Sequence, residues 1–216
     1  MLYQNPTLFG VAFASRLFRQ IDYLSSFEVW RDLESPANCE GLLEWLNKWG
    51  CRIATESFSE RSPKLAAWFR KWNPQLPHAS VELVGTRDPD LDILADAYDG
   101  LLTAGFGPTA ASKTLFAIRP ETAMAWDRAI RAGFNLNGGS RQNYRAMLAL
   151  SKREAEMLIA DAARCGIPDH RSIPDEVGSP DRTLARLLDE FHWITIVRGH
   201  QIPTSNELKR WVGWAL

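Results

Sequence analysis

The chain is poor in cysteine, with three in 216 residues (Cys39, Cys51 and Cys165) and no Cys-x-x-Cys pair. An odd, widely spaced set excludes a disulfide framework and a thiolate metal cage, and it fits a reducing compartment, so a cytoplasmic location is expected. Histidine is almost as scarce. The four residues form no ligand pair at helical spacing, and His192 and His200 stand eight apart. No metal and no cofactor are therefore expected. Long apolar runs are missing too, with no window near 18 uninterrupted apolar residues, so no membrane span is expected. The opening Met1-Leu2-Tyr3-Gln4-Asn5-Pro6 lacks a basic n-region, and no secretory signal is expected. Nor does one sign of charge prevail: 25 basic and 26 acidic side chains leave a net charge of −1, which gives no overall nucleic-acid signature. Hydrophobic residues at 45% and charged residues at 24% exclude a disordered chain and leave a globular one, of one domain or two small packed ones.

What charge there is lies unevenly. Residues 1–104 carry 10 basic and 14 acidic side chains, residues 105–165 carry 9 and 5, and residues 166–216 carry 6 and 7. The basic middle, with Lys113, Arg119, Arg128, Arg131, Arg141 and Arg145, reads either as a solvated helix surface or as a patch that attracts phosphates.

Apolar periodicity makes the chain mainly α. Leu42, Trp45, Leu46 and Trp49 form one helical stripe, closed by Gly50. Leu65, Trp68, Phe69 and Trp72 form another, ended by Asn73-Pro74, and Leu91, Leu94, Ala95, Tyr98 and Leu102 a third, entered from Asp88-Pro89-Asp90. A helix follows Gly107-Pro108. Ser151 with Glu154 reads as a capping box opening a helix to Cys165, and Ser179-Pro180-Asp181 as another start. Ser205 is the expected cap of a last helix. Only Val81–Val84 and Trp193–Val197 read as strands. The nine tryptophans are abundant; Trp45, Trp49, Trp68 and Trp72 are expected to be packing residues.

The informative stretch is Leu102-Thr103-Ala104-Gly105-Phe106-Gly107-Pro108-Thr109-Ala110-Ala111-Ser112-Lys113, followed by Ala125-Trp126-Asp127. It describes a helix, a tight Gly-x-Gly turn and a second helix with proline in its first turn. Glycines 105 and 107 permit positive φ and close backbone approach. The first-turn N–H groups of the second helix make a ready phosphate site. Asp127 precedes Arg128-Ala129-Ile130 and suits a helix N-cap.

This stretch, roughly residues 90–135, resembles the helix-hairpin-helix DNA glycosylases, the superfamily of endonuclease III and the adenine-mismatch glycosylases. Leu102, Gly105, Phe106, Gly107 and Ala111 stand in register with the family hairpin; Ala104 and Ala110 replace its proline and threonine. The family's essential aspartate follows the second glycine by about twenty residues, and Asp127 follows Gly107 by twenty. The resemblance implies a two-lobed helical fold: an N-terminal helical segment (1–88), the hairpin module (89–166), and C-terminal helices (167–216) packing on the N-terminal segment. It also implies a DNA glycosylase acting on a damaged, mismatched or modified base, phage-modified bases included, in repair or antiviral defence. Asp127 would be catalytic, facing the oxocarbenium-like sugar once the base is flipped out. Gly105, Phe106, Gly107, Thr109, Lys113, Arg128 and Arg141 would bind DNA. The chain would act as a monomer.

Two departures qualify the resemblance. Thr109 stands where bifunctional members carry a Schiff-base lysine, which implies base removal without strand cleavage, unless Lys113, one turn on, substitutes as the amine. The four-cysteine iron–sulfur loop is absent. The Asn135–Arg141 loop reads as a plain connection or as a second DNA contact. A non-catalytic hairpin module that binds DNA backbone is the alternative function, and a helical interaction protein with an ordinary αα turn is a third.

Overall fold

Residues 4–21, 29–204 and 206–207 are described by the computed structural model. Among them are nine α-helices: α1 (Leu8–Ile21), α2 (Pro36–Lys48), α3 (Phe58–Trp72), α4 (Asp88–Thr103), α5 (Pro108–Ile118), α6 (Arg128–Gly133), α7 (Arg141–Arg164), α8 (Ile173–Glu176) and α9 (Leu184–His192). The protein is mainly helical, and the described residues contain no strand. None of the described helices is long and apolar enough to cross a membrane.

Local chemistry accounts for the helix ends. Ser35 caps α2, its Oγ accepting from Asn38 N–H at 3.1 Å, and Pro36 occupies the first helical position, where a missing N–H costs nothing. Thr183 caps α9 in the same way, accepting from Arg186 N–H at 3.0 Å.

Four expectations are corrected. The two expected strands are a 3-10 turn at Leu83–Gly85 and a π-helical turn at Trp193–Val197 that continues α9. Their apolar runs are too short to tell strand from buried helix by period alone. Ser151 and Glu154 cap nothing, because α7 runs unbroken from its cap at Ser140, and both residues are buried in its middle. Ser179 does not start a helix either. Its hydroxyl is buried 2.9 Å from that of Ser15, and α9 begins at Leu184. Ser205 lies outside the described residues.

Two packing groups share α7. In one, α2 packs on α3 and α5, α3 on α4, and α4 on α5 and α7. In the other, α1 packs on α9 and α7, so segments far apart in sequence meet. Side chains such as Leu42, Leu46, Leu94, Leu101, Leu115 and Leu187 are fully buried, each stabilising the fold by roughly 1.5–3 kcal/mol. Polar links inside the second group are specific. Glu190, fully buried, takes hydrogen bonds from Ser15 at 2.6 Å, Arg182 at 2.9 Å and Arg186 at 3.1 Å. His192 pairs with Glu154 of α7 at 2.9 Å.

Candidate active site

The turn between α4 and α5 is built tightly. Gly105 has φ +92°, which favours glycine. Its N–H donates to Leu102 O at 2.9 Å and that of Phe106 to Leu101 O at 3.0 Å, closing the end of α4. The Phe106 ring, only 3% exposed, lies 5.6 Å from the Arg61 guanidinium, and Arg61 Nη1 donates to Gly105 O at 2.7 Å. Thus α3 holds the hairpin from the side. Gly107 departs from expectation, with φ −71°, an ordinary extended value. A Cβ there would meet no atom within 4 Å, so what glycine preserves is open space. No side chain caps α5, and the N–H groups of Thr109 and Ala110 have no partner within the helix. They border a groove that Arg52 and Arg61 also line.

After α5 the chain turns back along its own helix. Ser112 Oγ, fully buried, accepts from Trp126 N–H at 3.1 Å and lies within donor range of the carbonyls of Trp126 (3.1 Å) and Thr109 (3.0 Å). Tyr144 of α7 donates to Met124 O at 3.0 Å, and its ring stacks on Tyr98 at 4.3 Å. These anchors, one from each neighbouring helix, deliver Asp127. Its carboxylate caps α6 by accepting from Ile130 N–H at 2.8 Å.

Asp127 lines a cavity of about 260 Å³ where the two packing groups meet. Lys113 reaches it from α5, Trp49 from the end of α2, Phe18 from α1, and Arg186 and Asp189 from α9. Trp49 stacks on Trp45 with centroids 4.6 Å apart, and the Arg186 guanidinium sits 4.7 Å from its ring. Lys113 Nζ donates to Trp49 O at 2.5 Å. Asp189 accepts from Arg186 Nη1 at 2.8 Å. Burial pushes the Asp189 carboxyl above the usual carboxylate range, against the pull of Arg186 and Lys113.

Of the residues singled out from sequence, the fold brings Asp127 and Lys113 into one cavity. Gly105, Gly107 and Thr109 lie on the hairpin, with both glycines exposed. Phe106 is buried beneath Arg61 and borders the groove that Gly105, Gly107 and Thr109 also line. Lys113 is half-buried in the cavity, not on the open face of the hairpin. Arg128 is exposed at the start of α6. Arg141 is engaged by Asp96 and Asp92 of α4, and Arg145 by Asp92 at 2.6 Å. The acidic face of α4 therefore neutralises part of the basic stretch. Trp49 packs against the core as expected and also forms a wall of the cavity. Sequence reasoning missed Ser112, Asp189 and Arg186. Their signal was faint, a serine before Lys113 and an Arg-x-x-Asp spacing on an amphipathic helix. No protein-family model, curated protein or solved structure matches the chain.

Proposed function

We propose that this protein is a monofunctional DNA glycosylase with a two-lobed helix-hairpin-helix fold, which hydrolyses the N-glycosidic bond of a base flipped out of duplex DNA. The observation that carries this reading is the place of Asp127. The residue at the twenty-residue spacing from Gly107 lies in a cavity to which the second hairpin helix also contributes, and Ser112 of that helix clamps the segment that presents it. A carboxylate there stabilises positive charge growing on the sugar and orients the attacking water, while the hairpin N–H groups hold the backbone phosphate. The Trp49 and Phe18 rings line the same cavity, with the Arg186 guanidinium 4.7 and 4.9 Å from them. A cavity of about 260 Å³ falls below the roughly 300–1,000 Å³ of sites for drug-sized ligands. That favours a single base with small modifications over one carrying a sugar.

The same reading has the protein work as a monomer on DNA in the cytoplasm, in repair or in defence against phages with modified bases. The alternative, a non-catalytic hairpin module, shares the phosphate contacts but gives no role to a carboxylate-lined cavity. The deciding experiment incubates the purified protein with duplexes that each carry one damaged, mismatched or phage-modified base and scores alkali-labile abasic sites. Release of at least one base supports the enzyme. Salt-dependent binding without release supports the module.

A further inference from the structure

The cavity holds a second carboxyl group that the reading above leaves without a task. Asp189 projects from α9, on a different element from Asp127, and is only 7% exposed. Arg186 occupies one of its oxygens, Oδ2, at 2.8 Å. The other, Oδ1, has no hydrogen-bond partner among the described residues. A carboxylic acid bound in this way accepts through Oδ2 and keeps the O–H on Oδ1 to give away.

The surroundings of the two carboxyl groups differ in kind. Asp127 stands at a helix N-terminus, where one of its oxygens accepts the Ile130 N–H at 2.8 Å. Asp189 is faced by Arg186, Glu190 and His192 from its own helix and by Lys113 from α5, while Asp127 and Lys48 line other parts of the cavity. Arg186 does not serve Asp189 alone, since its Nε bonds the buried Glu190 at 3.1 Å. Burial then favours the neutral form of Asp189. Two carboxyl groups in such unlike surroundings within one cavity can divide the work of acid and anion.

We propose that Asp189 is the acid that protonates the departing base, with Asp127 serving the sugar; this rests on the glycosylase reading. As the bond from sugar C1′ to the base nitrogen breaks, its electron pair goes to the base, which takes the proton from Asp189 Oδ1. Water adds to C1′ and gives a proton to the Asp127 carboxylate. Exchange with solvent restores both groups, and the sum is one water consumed per base released.

The test compares the full-length parent with Asp189→Asn and Asp189→Glu on every base the parent releases, across a pH series. The probe set includes a duplex with one N7-methylguanine, a cationic base that leaves without being protonated. For neutral bases, parent rates should fall at alkaline pH as Asp189 loses its proton. Asp189→Asn should be slower by about 10²–10⁴-fold, the usual contribution of a positioned acid, and should lose that alkaline fall. Asp189→Glu should keep it. N7-methylguanine, if released, should leave Asp189→Asn within about tenfold of the parent rate, since it needs no acid.

Neutral-base release by Asp189→Asn at the parent rate overturns the proposal and leaves the glycosylase reading standing. Equal loss on neutral and N7-methylated bases also overturns it, because that marks a structural role. A parent that releases only N7-methylguanine has no use for an acid and overturns it too. Release of no base by the parent defeats the glycosylase reading itself. Circular dichroism and affinity for an abasic duplex check the fold of each variant. If Asp189→Asn does not fold, the alkaline fall in the parent and its survival in Asp189→Glu decide, and a parent without that fall overturns the proposal.

Discussion

Ser112 and Trp126 are locked together across 14 residues of sequence: the Ser112 hydroxyl accepts the indole residue's backbone N–H at 3.1 Å and lies 3.1 Å from its carbonyl. The clamp ties the position of Asp127, the next residue, to the hairpin helix. Ser112→Ala leaves the buried Trp126 N–H without an acceptor, which costs about 1–3 kcal/mol. Thermal denaturation should show the midpoint falling by about 2–10 °C. If Asp127 depends on this clamp, kcat for base release should fall more than KM rises. A stable variant with parental kinetics would show that the segment is held without Ser112.

Asp127→Asn tests the carboxylate directly. Asparagine caps helices as well as aspartate does, so α6 and the fold should survive, and DNA affinity should stay within a few fold. Base release should drop by at least about 10²-fold, because the sugar loses its negative partner. Excision at the parent rate in a single-turnover assay would remove Asp127 from the chemistry.

Gly107→Val tests the hairpin. The backbone at Gly107 is ordinary and the space beyond it open, so valine should fold there without strain. Its side chain would stand between the α5 N-terminus and a phosphate. Titrations should show affinity reduced by about tenfold, on the order of one lost charge-assisted hydrogen bond. The reduction should be alike for every DNA sequence, since phosphate contacts carry no sequence information. Unchanged affinity would reduce the hairpin to a structural turn.

Borohydride trapping tests the amine. Lys113 Nζ donates to Trp49 O, a bond it would have to leave to attack a sugar carbon, and Thr109 offers no amine. The expected product is an intact abasic strand that breaks only with alkali or heat, with little covalent adduct. A strong adduct that disappears in Lys113→Ala would assign strand cleavage to Lys113 instead.

The thiols should differ in reactivity. Burial pushes Cys39 and Cys51 each to about 11, with Lys113 pulling Cys51 the other way, and Cys165 is exposed. At neutral pH the two raised thiols carry little thiolate, the nucleophilic form. Titration of the native protein with a thiol reagent should show one fast group, and the denatured protein three. Three fast groups in the native protein would contradict the raised values of Cys39 and Cys51.

Much of the fold was legible because helix periodicity and caps are local. The stripes through Leu42, Leu65 and Leu91 fall inside α2, α3 and α4, and Asp127 caps α6 as its neighbours suggested. Errors came where a residue's use is set by distant chain. Ser151 and Glu154 have the spacing of a cap, but α9 brings His192 against Glu154 and turns them into interior residues. Ile194 looks like part of a strand because its neighbours are β-branched, but it is buried in a turn that packs on α1 and α6. The cavity was legible only through Asp127 and Lys113. Trp49, Arg186 and Asp189 share it through contacts between residues more than a hundred positions apart, and no local pattern records such pairings.

The cavity wall draws on Phe18 near one end of the chain and on Arg186 and Asp189 near the other. During synthesis, then, the hairpin residues emerge before α9 supplies the pocket's last wall. A nascent chain that has emerged only as far as α7 contains Asp127 but not Arg186 and Asp189, and so lacks part of the chamber around it. The chamber is complete only once α9 has packed onto α1.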